Sequence, residues 1–533
     1  MRQDSFALKV ELFLLGLLLA AGSAAGGALA DSDAEQAGPL RVGWAMANLT
    51  PDVPVHMAGM GSLRVSEGVM DPVTATVLVL ESVAEEAGAA DMLIMVGVDL
   101  ARAEKLLCDR VRELVAELEP DIDVGKIVLN ATHNHGAPCV RTAPELAAKL
   151  AERGLEVPAE WSYYGVDPDA MSPVGYLEFA APRIAQAIAE AWENRKPGGV
   201  SFGLGHAVVS HNRQVTYDNG RSQQYGRLDR PDFSHIEGYE DHSVGLLYTF
   251  DADGELTGVV INVPCSALGF GRHITADFWH DTRNQMRKRF GESFYTLQQV
   301  ASSGEQWPRV VVERRAHERM LRITGRTPRE EIALRLADSV ASVLPHIRDH
   351  IEWNPVFAHR VEQVELPQLR VTEEMAESRR QQFERLLSQY RKMREEIVAN
   401  PDIRKKPRWF EKISSVYWQL ARAERVVRMF ERQQARAKLP VTLHVVRIGD
   451  MAIATHPVAL YLDFGMQIKA RSKAVQTFTV QTADGHYRYL PTERSLAGSA
   501  YGAVPESITF GPEGGRELVE ATLKLIASLW EEK

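Results

Sequence analysis

Residues 126–138 read KIVLNATHNHGAP, and this stretch decides how the rest of the chain is interpreted. Residues 126–130 form a short apolar run, which predicts a buried strand. The run leads into a loop with two histidines, His133 and His135, separated by one residue. Side chains two apart at a strand end point to the same side. Two such imidazoles could share a metal ion, divide into one ligand and one acid–base group, or form a structural hydrogen-bonded pair.

The segments before this loop predict an α/β protein. Residues 73–81 alternate as a half-buried strand does, residues 92–98 are a continuous apolar run typical of a buried strand, and residues 104–118 have helical spacing. Strand, helix, strand and a His-bearing loop is the usual layout of an α/β active site. The same patterns predict helices at 176–194, 281–289, 328–343 and 515–530, and strands at 243–250, 258–263 and within 441–455.

Residues 372–437 differ in composition from their surroundings. They are rich in Glu, Arg and Gln, and prolines interrupt them at Pro401 and Pro407. Proline lacks the backbone donor and clashes with the preceding turn, so it breaks a helix. We predict a helical-hairpin insertion of two antiparallel helices that projects from the core. Its charge is interpreted as a solvated face, with a partner-binding arm as the alternative.

Composition limits the kind of partner. The chain has 533 residues, 45% of them hydrophobic, and a formal net charge of −10. An acidic surface repels nucleic acid and anionic membranes, so neither is expected as a general partner. A small-molecule or lipid substrate that enters a pocket is compatible with this charge. Residues 40–533 are predicted to form one large domain with mixed sheets.

The N-terminus has the features of an export signal. Arg2 and Lys9 precede an apolar run at 12–21, and the small residues Ala28 and Ala30 precede Asp31. The run is too short to span a bilayer about 30 Å thick. We expect a signal peptide at 1–30, a flexible lead-in at 31–39, and an exported protein (periplasmic, secreted or in the cell envelope) with no membrane segment in the mature chain. An uncleaved membrane anchor is the alternative.

The His-bearing loop also carries a resemblance to a known family. Thr132 to Pro138 is similar to the Thr-His-Thr-His-Ser-Gly/Ala-Pro loop of neutral, non-lysosomal ceramidases. Further similar pieces follow in the same order over residues 40–533: Asn48-Leu49-Thr50-Pro51, Val96-Gly97-Val98-Asp99, Asn212-Arg213, and the tyrosines Tyr489 and Tyr501 twelve residues apart. The family's C-terminal immunoglobulin-like domain has no counterpart here, so we expect the N-terminal α/β domain alone.

The resemblance implies a zinc-dependent amidase that cleaves the N-acyl bond of ceramide, with zinc activating a water molecule. It implies that His133 and Tyr489 bind the metal. It also implies that His135, Arg213 and Tyr501 act in catalysis.

Three positions depart from the family's pattern. The second zinc histidine falls at Val263-Pro264-Cys265, the zinc glutamate at Ala459 and the active-site serine at Trp307. A thiolate is a good zinc ligand, so Cys265 is the predicted replacement. Other candidate ligands are His456 and His273. Alternatively, Cys265 pairs with Cys139, or both cysteines are buried and inert.

Three functional hypotheses follow, because a fold does not determine a function. The first is a ceramidase-like amidohydrolase with an altered metal shell, which acts on a lipid amide or another small molecule. The second is a catalytically inactive relative that binds a ligand or partner through the old active-site pocket and Trp307. The third is an exported carbohydrate-associated protein that retains only the scaffold.

Overall fold

The computed structural model describes residues 40–83, 90–158, 161, 164–267 and 269–531. The predicted signal peptide and lead-in, residues 1–39, lie outside these residues. Within the described part, no helix combines the length and apolar character needed to cross a bilayer.

An eight-stranded sheet forms the centre of the molecule. Its strands are β1 (Leu40–Asn48), β2 (Thr74–Ser82), β3 (Asp91–Val98), β4 (Ile127–Ala131), β5 (Lys196–His206), β6 (Ser243–Asp251), β7 (Leu256–Val263) and β8 (Tyr295–Val300). They run in the order β8-β7-β6-β5-β1-β2-β3-β4. Only the outer pairs β3–β4 and β7–β8 are parallel, so the sheet is mixed.

A four-stranded sheet packs against one face of this large sheet. Its strands are β9 (Phe357–Pro367), β10 (Lys438–Ile448), β11 (Met451–His456) and β12 (Gln476–Gln481), hydrogen-bonded in that order. Leu78 and Met95 of the large sheet share a buried apolar cluster with Ile453 and Phe478 of the small one. The two sheets therefore form a sandwich.

The described residues include eleven helices, six of which cover the outer faces of the sandwich. The eleven helices are α1 (Lys105–Leu118), α2 (Pro144–Ala151), α3 (Pro173–Glu193), α4 (Phe278–Phe290), α5 (Arg314–Thr324), α6 (Pro328–Ile347), α7 (Glu373–Ala399), α8 (Phe410–Ala435), α9 (Leu462–Arg471), α10 (Glu493–Gly498) and α11 (Pro512–Glu531). Helices α1, α3, α4 and α6 bury apolar residues against the large sheet, and α9 and α11 against the small one. The order of layers is helix, sheet, sheet, helix.

The predicted α/β class with mixed sheets is confirmed, with one correction to the burial of a strand. Strand β2 is not half-buried: Val77 and Val79 face the helices, while Leu78 and Leu80 face the small sheet. A strand inside a sandwich buries both faces and so reads as a continuous apolar run.

The predicted hairpin region contains the long helices α7 and α8, joined through the short 3-10 helix Pro401–Lys405. It does not project freely. Phe383 and Tyr390 of α7 and Tyr417 of α8 belong to a buried cluster with Leu146 and Tyr164 of the core domain. The expectation that the hairpin projects from the core is corrected, because the hairpin buries an apolar face against residues 143–166.

Candidate functional site

The His-bearing loop follows strand β4 in a tightly constrained conformation. His133 has a φ of 60°, a left-handed conformation that is uncommon outside glycine and typical of functional loops. The Asn134 side chain fixes the turn: it donates to the carbonyl of Thr275 at 2.6 Å and accepts from the amide of Gly136 at 2.8 Å. A β-carbon at Gly269 would lie 2.3 Å from Asn134 Oδ1, so only glycine fits there.

Short strand pairs bring the other predicted residues to this loop. Gln306–Trp307 pairs with His211–Asn212, which places Arg213 beside Trp307. Ala459–Leu460 pairs with Tyr489–Leu490, and Tyr501 begins a 3-10 turn. One cleft of about 440 Å³ results, here named the His cleft, and its lining includes His133, His135, Arg213, Trp307, Tyr489 and Tyr501.

Trp307 is the central residue of the His cleft. Its ring meets His135 edge to face at 5.0 Å between centroids and His133 at 5.8 Å, and the two imidazole centroids are 5.2 Å apart. The Arg213 guanidinium carbon lies 4.5 Å from the centroid of the Trp307 ring, and its Nη2 donates to the Tyr489 hydroxyl at 3.3 Å. The five residues that the resemblance matched therefore share one cleft.

Two solved structures resemble this chain: neutral ceramidase from Pseudomonas aeruginosa, and a ceramidase complexed with C2. Both have a TM-score of 0.62, with 16% and 15% identity, and each match covers 92% of this chain and 75% of the other. The chain has the neutral ceramidase fold. No family model matches the sequence, and no curated protein matches it. At 15–16% identity, the two comparisons show that the fold is similar.

The His cleft also contains residues that the sequence did not indicate. They are His486, Arg102, Arg488, Tyr225 and Trp418. His486 lies 6.4 Å from His133, between ring centroids. The sequence feature that could have indicated His486 is its position three residues before Tyr489. Trp418 comes from helix α8, and nothing in its local sequence connects it with the cleft.

The imidazoles of the His cleft are held neutral. Burial lowers the pKa of His133 to about 3, and the neighbouring Arg102 and Arg213 lower it further. Burial and nearby positive groups also hold the pKa of His135 and of His486 well below the usual value. The Nδ1 atoms of all three are buried without a hydrogen-bond partner among the described residues. The cleft thus presents unprotonated imidazoles in a positive field.

Cys265 does not belong to the His cleft, which corrects its predicted role as a metal ligand. It packs in the core cluster with Phe278 and Trp279, and its thiol donates to the carbonyl of Val209 at 3.3 Å. Burial raises the pKa of its thiol well above the usual value. Cys265 and Cys139 are both buried free thiols, so the alternative disulfide is not formed.

The other proposed replacement ligands also lie outside the cleft lining. His456 Nε2 lies 3.2 Å from the Thr522 hydroxyl of helix α11, in the interior of the small-sheet layer. His273 lies at the parallel pair His273–Ile274 and Gly68–Val69.

The donor set of the His cleft does not fit zinc. A catalytic zinc site needs about three protein ligands, and no three His, Cys, Asp or Glu side chains are grouped for one among the described residues. Ala459 supplies no carboxylate, and the guanidinium groups of Arg102 and Arg213 would repel a dication.

Glu305, two residues before Trp307, is a buried acid beside the cleft. It is 3% exposed, and each of its carboxyl oxygens lies 3.0 Å from the backbone amide of Leu462 at the start of α9. Burial raises its pKa to about 8, with Asp463 and Glu237 adding repulsion. The folded protein therefore keeps a proton on Glu305 that the unfolded chain loses near pH 4.5, the usual pKa of a glutamate.

Glu305 should make stability fall as the pH rises from 4.5 to about 8, because the folded state binds the extra proton in that window. Chemical denaturation of the wild type and of Glu305→Gln at several pH values tests this. The glutamine variant should gain stability relative to the wild type up to pH about 8, and the difference should then level off. Histidines that are neutral when folded titrate in both proteins and cancel in the comparison. A pH-independent difference would contradict the prediction.

Proposed function

We propose that this protein uses the pocket of the neutral ceramidase fold to bind an organic ligand and does not perform zinc-dependent hydrolysis of N-acyl amides. The observation that carries the proposal is the position of Trp307. The indole lies against both imidazoles, 5.0 and 5.8 Å away, at the position where the resemblance places a serine. Tryptophan cannot serve as nucleophile, acid or base, but its face and edge suit ligand packing.

The size and lining of the His cleft support a binding role. A volume of about 440 Å³ is in the range of small-molecule pockets, about 300–1,000 Å³. Trp307, Trp418, Tyr489 and Tyr501 supply aromatic surface, and the unpartnered imidazoles supply polar groups that orient a ligand. This combination of apolar surface and a few convergent polar groups is typical of ligand sites.

The second candidate is a ceramidase-like amidohydrolase with an altered metal shell. The observation that favours it is the convergence of His133, His135, Arg213, Tyr489 and Tyr501 in one cleft. In this hypothesis His133 and Tyr489 would bind zinc, and the substrate would be a lipid amide. The donor set argues against it, since two ligands are fewer than catalytic zinc requires.

Metal content and activity distinguish the two candidates. Protein dialysed against zinc and then against metal-free buffer should retain far less than one zinc per chain, and it should release no fatty acid from ceramide. Stoichiometric zinc together with ceramide turnover would support the amidohydrolase instead. Cys265→Ala serves as the matched control: its zinc content should equal that of the wild type, because the thiol packs in the core and not in the cleft.

Export is part of this proposal and is supported by the N-terminal sequence alone. The positive residues, the apolar run and the small residues before Asp31 are those of a cleavable signal. N-terminal sequencing of the protein from its native source should begin at Asp31; a chain that retains residues 1–30 would favour the anchor.

A further inference from the structure

The His cleft shares lining residues with a second cavity along helix α8. This cavity, here named the Arg groove, has a volume of about 350 Å³, and its cationic lining is Lys105, Arg141, Arg425, Arg428, Arg432 and Arg488. Arg488 and His486 line both spaces, and a small third cavity shares Arg102 and Trp418 with the His cleft and Arg141 with the Arg groove. The three cavities are therefore adjacent, and their combined lining forms one surface between the core domain and the hairpin.

This surface is strongly positive although the protein is acidic. Nine Lys and Arg side chains line it, against three carboxylates among the described residues, whereas the whole chain carries a formal net charge of −10. Those three carboxylates are already engaged. Glu104 lies 3.7 Å from Arg102 and 3.9 Å from Arg141, Glu145 lies 3.3 Å from Arg428, and Glu424 lies 3.5 Å from Lys149. The described lining of the His cleft itself includes no Asp or Glu.

The deepest cation of this surface has no counterion among the described residues. Arg213 is 1% exposed, and its guanidinium donates to the carbonyl of Gly304 and the hydroxyl of Tyr489, which are both uncharged acceptors. Its Nε is buried without a partner, and no described carboxylate lies within ion-pair distance of it. Burying an unpaired charge is costly. A ligand anion would supply both the missing charge and the missing acceptor.

The histidines provide a second set of buried polar atoms that lack hydrogen-bond partners among the described residues. His133 is 7% exposed, and its Nδ1 has no partner among the described residues, like the Nδ1 atoms of His135 and His486. A neutral imidazole has one N–H donor to offer.

We propose that the ligand of this protein is an organic acid, whose carboxylate, sulfate or phosphate group binds Arg102, Arg213 and Arg488 in the His cleft. The body of the ligand packs against Trp307 and Trp418, and longer ligands extend into the Arg groove. This inference rests on the proposed function, since it assigns a ligand class to the same pocket. Guanidinium groups suit it because they bind carboxylate and phosphate oxygens in bidentate fashion.

Two matched pairs of probes test the proposal by titration calorimetry. Glucuronate and glucose differ by a carboxylate in place of a hydroxymethyl group, and N-lauroylglycine and N-lauroylethanolamine differ in the same way. We expect the acidic member of at least one pair to bind about tenfold or more tightly than its neutral partner. The pair that binds shows whether the ligand body is a sugar or an acyl chain.

Substitutions in the cleft test whether the preference for the acidic probe arises there. Arg102→Gln and Arg488→Gln should each weaken binding of the acidic probe about tenfold and leave the neutral probe unaffected. Arg227→Gln is the control, because Arg227 pairs with Asp229 on the exposed surface. Equal affinity for both members of each pair, no binding by any of the four probes, or full affinity in both cleft variants would overturn the proposal. A protein that contains zinc and hydrolyses ceramide, yet prefers the acidic probes, would refute the proposed function alone.

Discussion

Deletion of residues 372–437 with a glycine bridge is expected to give insoluble protein. Helices α7 and α8 share one buried cluster with the core domain, in which Phe383, Tyr390 and Tyr417 contact residues around Leu146 and Tyr164. Removing the hairpin would expose the partner side of that cluster, and a large exposed apolar patch promotes aggregation. Expression of the deletion variant and measurement of its soluble fraction test this directly.

A single substitution gives the same test without truncation. Tyr417 is 1% exposed, and its ring covers Gly165, where a β-carbon would lie 2.3 Å from Tyr417 Cδ2. Tyr417→Ala should cost about 3–5 kcal/mol of unfolding free energy, as for other large aromatic residues in cores. The matched control is Val398→Ala on α7, where the side chain is 78% exposed and the expected change is below about 0.5 kcal/mol. A soluble deletion variant with one sharp unfolding transition would show that the hairpin is dispensable.

Replacement of Asp484 by alanine should also cost about 3–5 kcal/mol, because it breaks a buried charge pair from one side. The Asp484 carboxylate is 4% exposed, and Arg112 of α1 donates to it at 2.8 Å. His444 Nε2 of β10 lies 3.1 Å from the other oxygen, and the amide of Leu129 in β4 donates to the first at 3.2 Å. Asp484 thus joins α1 and both sheets at a position two residues from His486.

Urea denaturation of Asp484→Ala tests this role. The matched control is Asp109→Ala on α1, the helix that carries Arg112. Asp109 pairs with Lys105 in solvent, and the two side chains are 42% and 76% exposed. This pair should contribute less than about 1 kcal/mol to the free energy of unfolding. Asp484→Asn should lose less than the alanine variant, because an amide keeps an acceptor for Arg112. Equal stability of the Asp484 and Asp109 alanine variants would show that the buried pair adds nothing.

Local patterns predicted the His-bearing loop, and the resemblance implied the other cleft residues Arg213, Tyr489 and Tyr501. His133 and His135 were expected to face the same side, and they do, although His133 is left-handed and not extended. The prediction that Cys265 replaces a metal ligand in the cleft was wrong. Alignment by order along the chain places a residue near a site, but the direction of its side chain depends on packing, and here it points into the core of β6, β7 and α4.

The sequence by itself determined the α/β class and the position of the His-bearing loop. Periodicity and local motifs determine these features, since they depend on neighbours within a few residues. Only the tertiary structure decided that the hairpin is a wall of the core, that Trp418 reaches the cleft, and that arginines from distant segments create a positive surface in an acidic protein. Total charge is additive along a chain, whereas the field in a pocket depends on which side chains folding brings together.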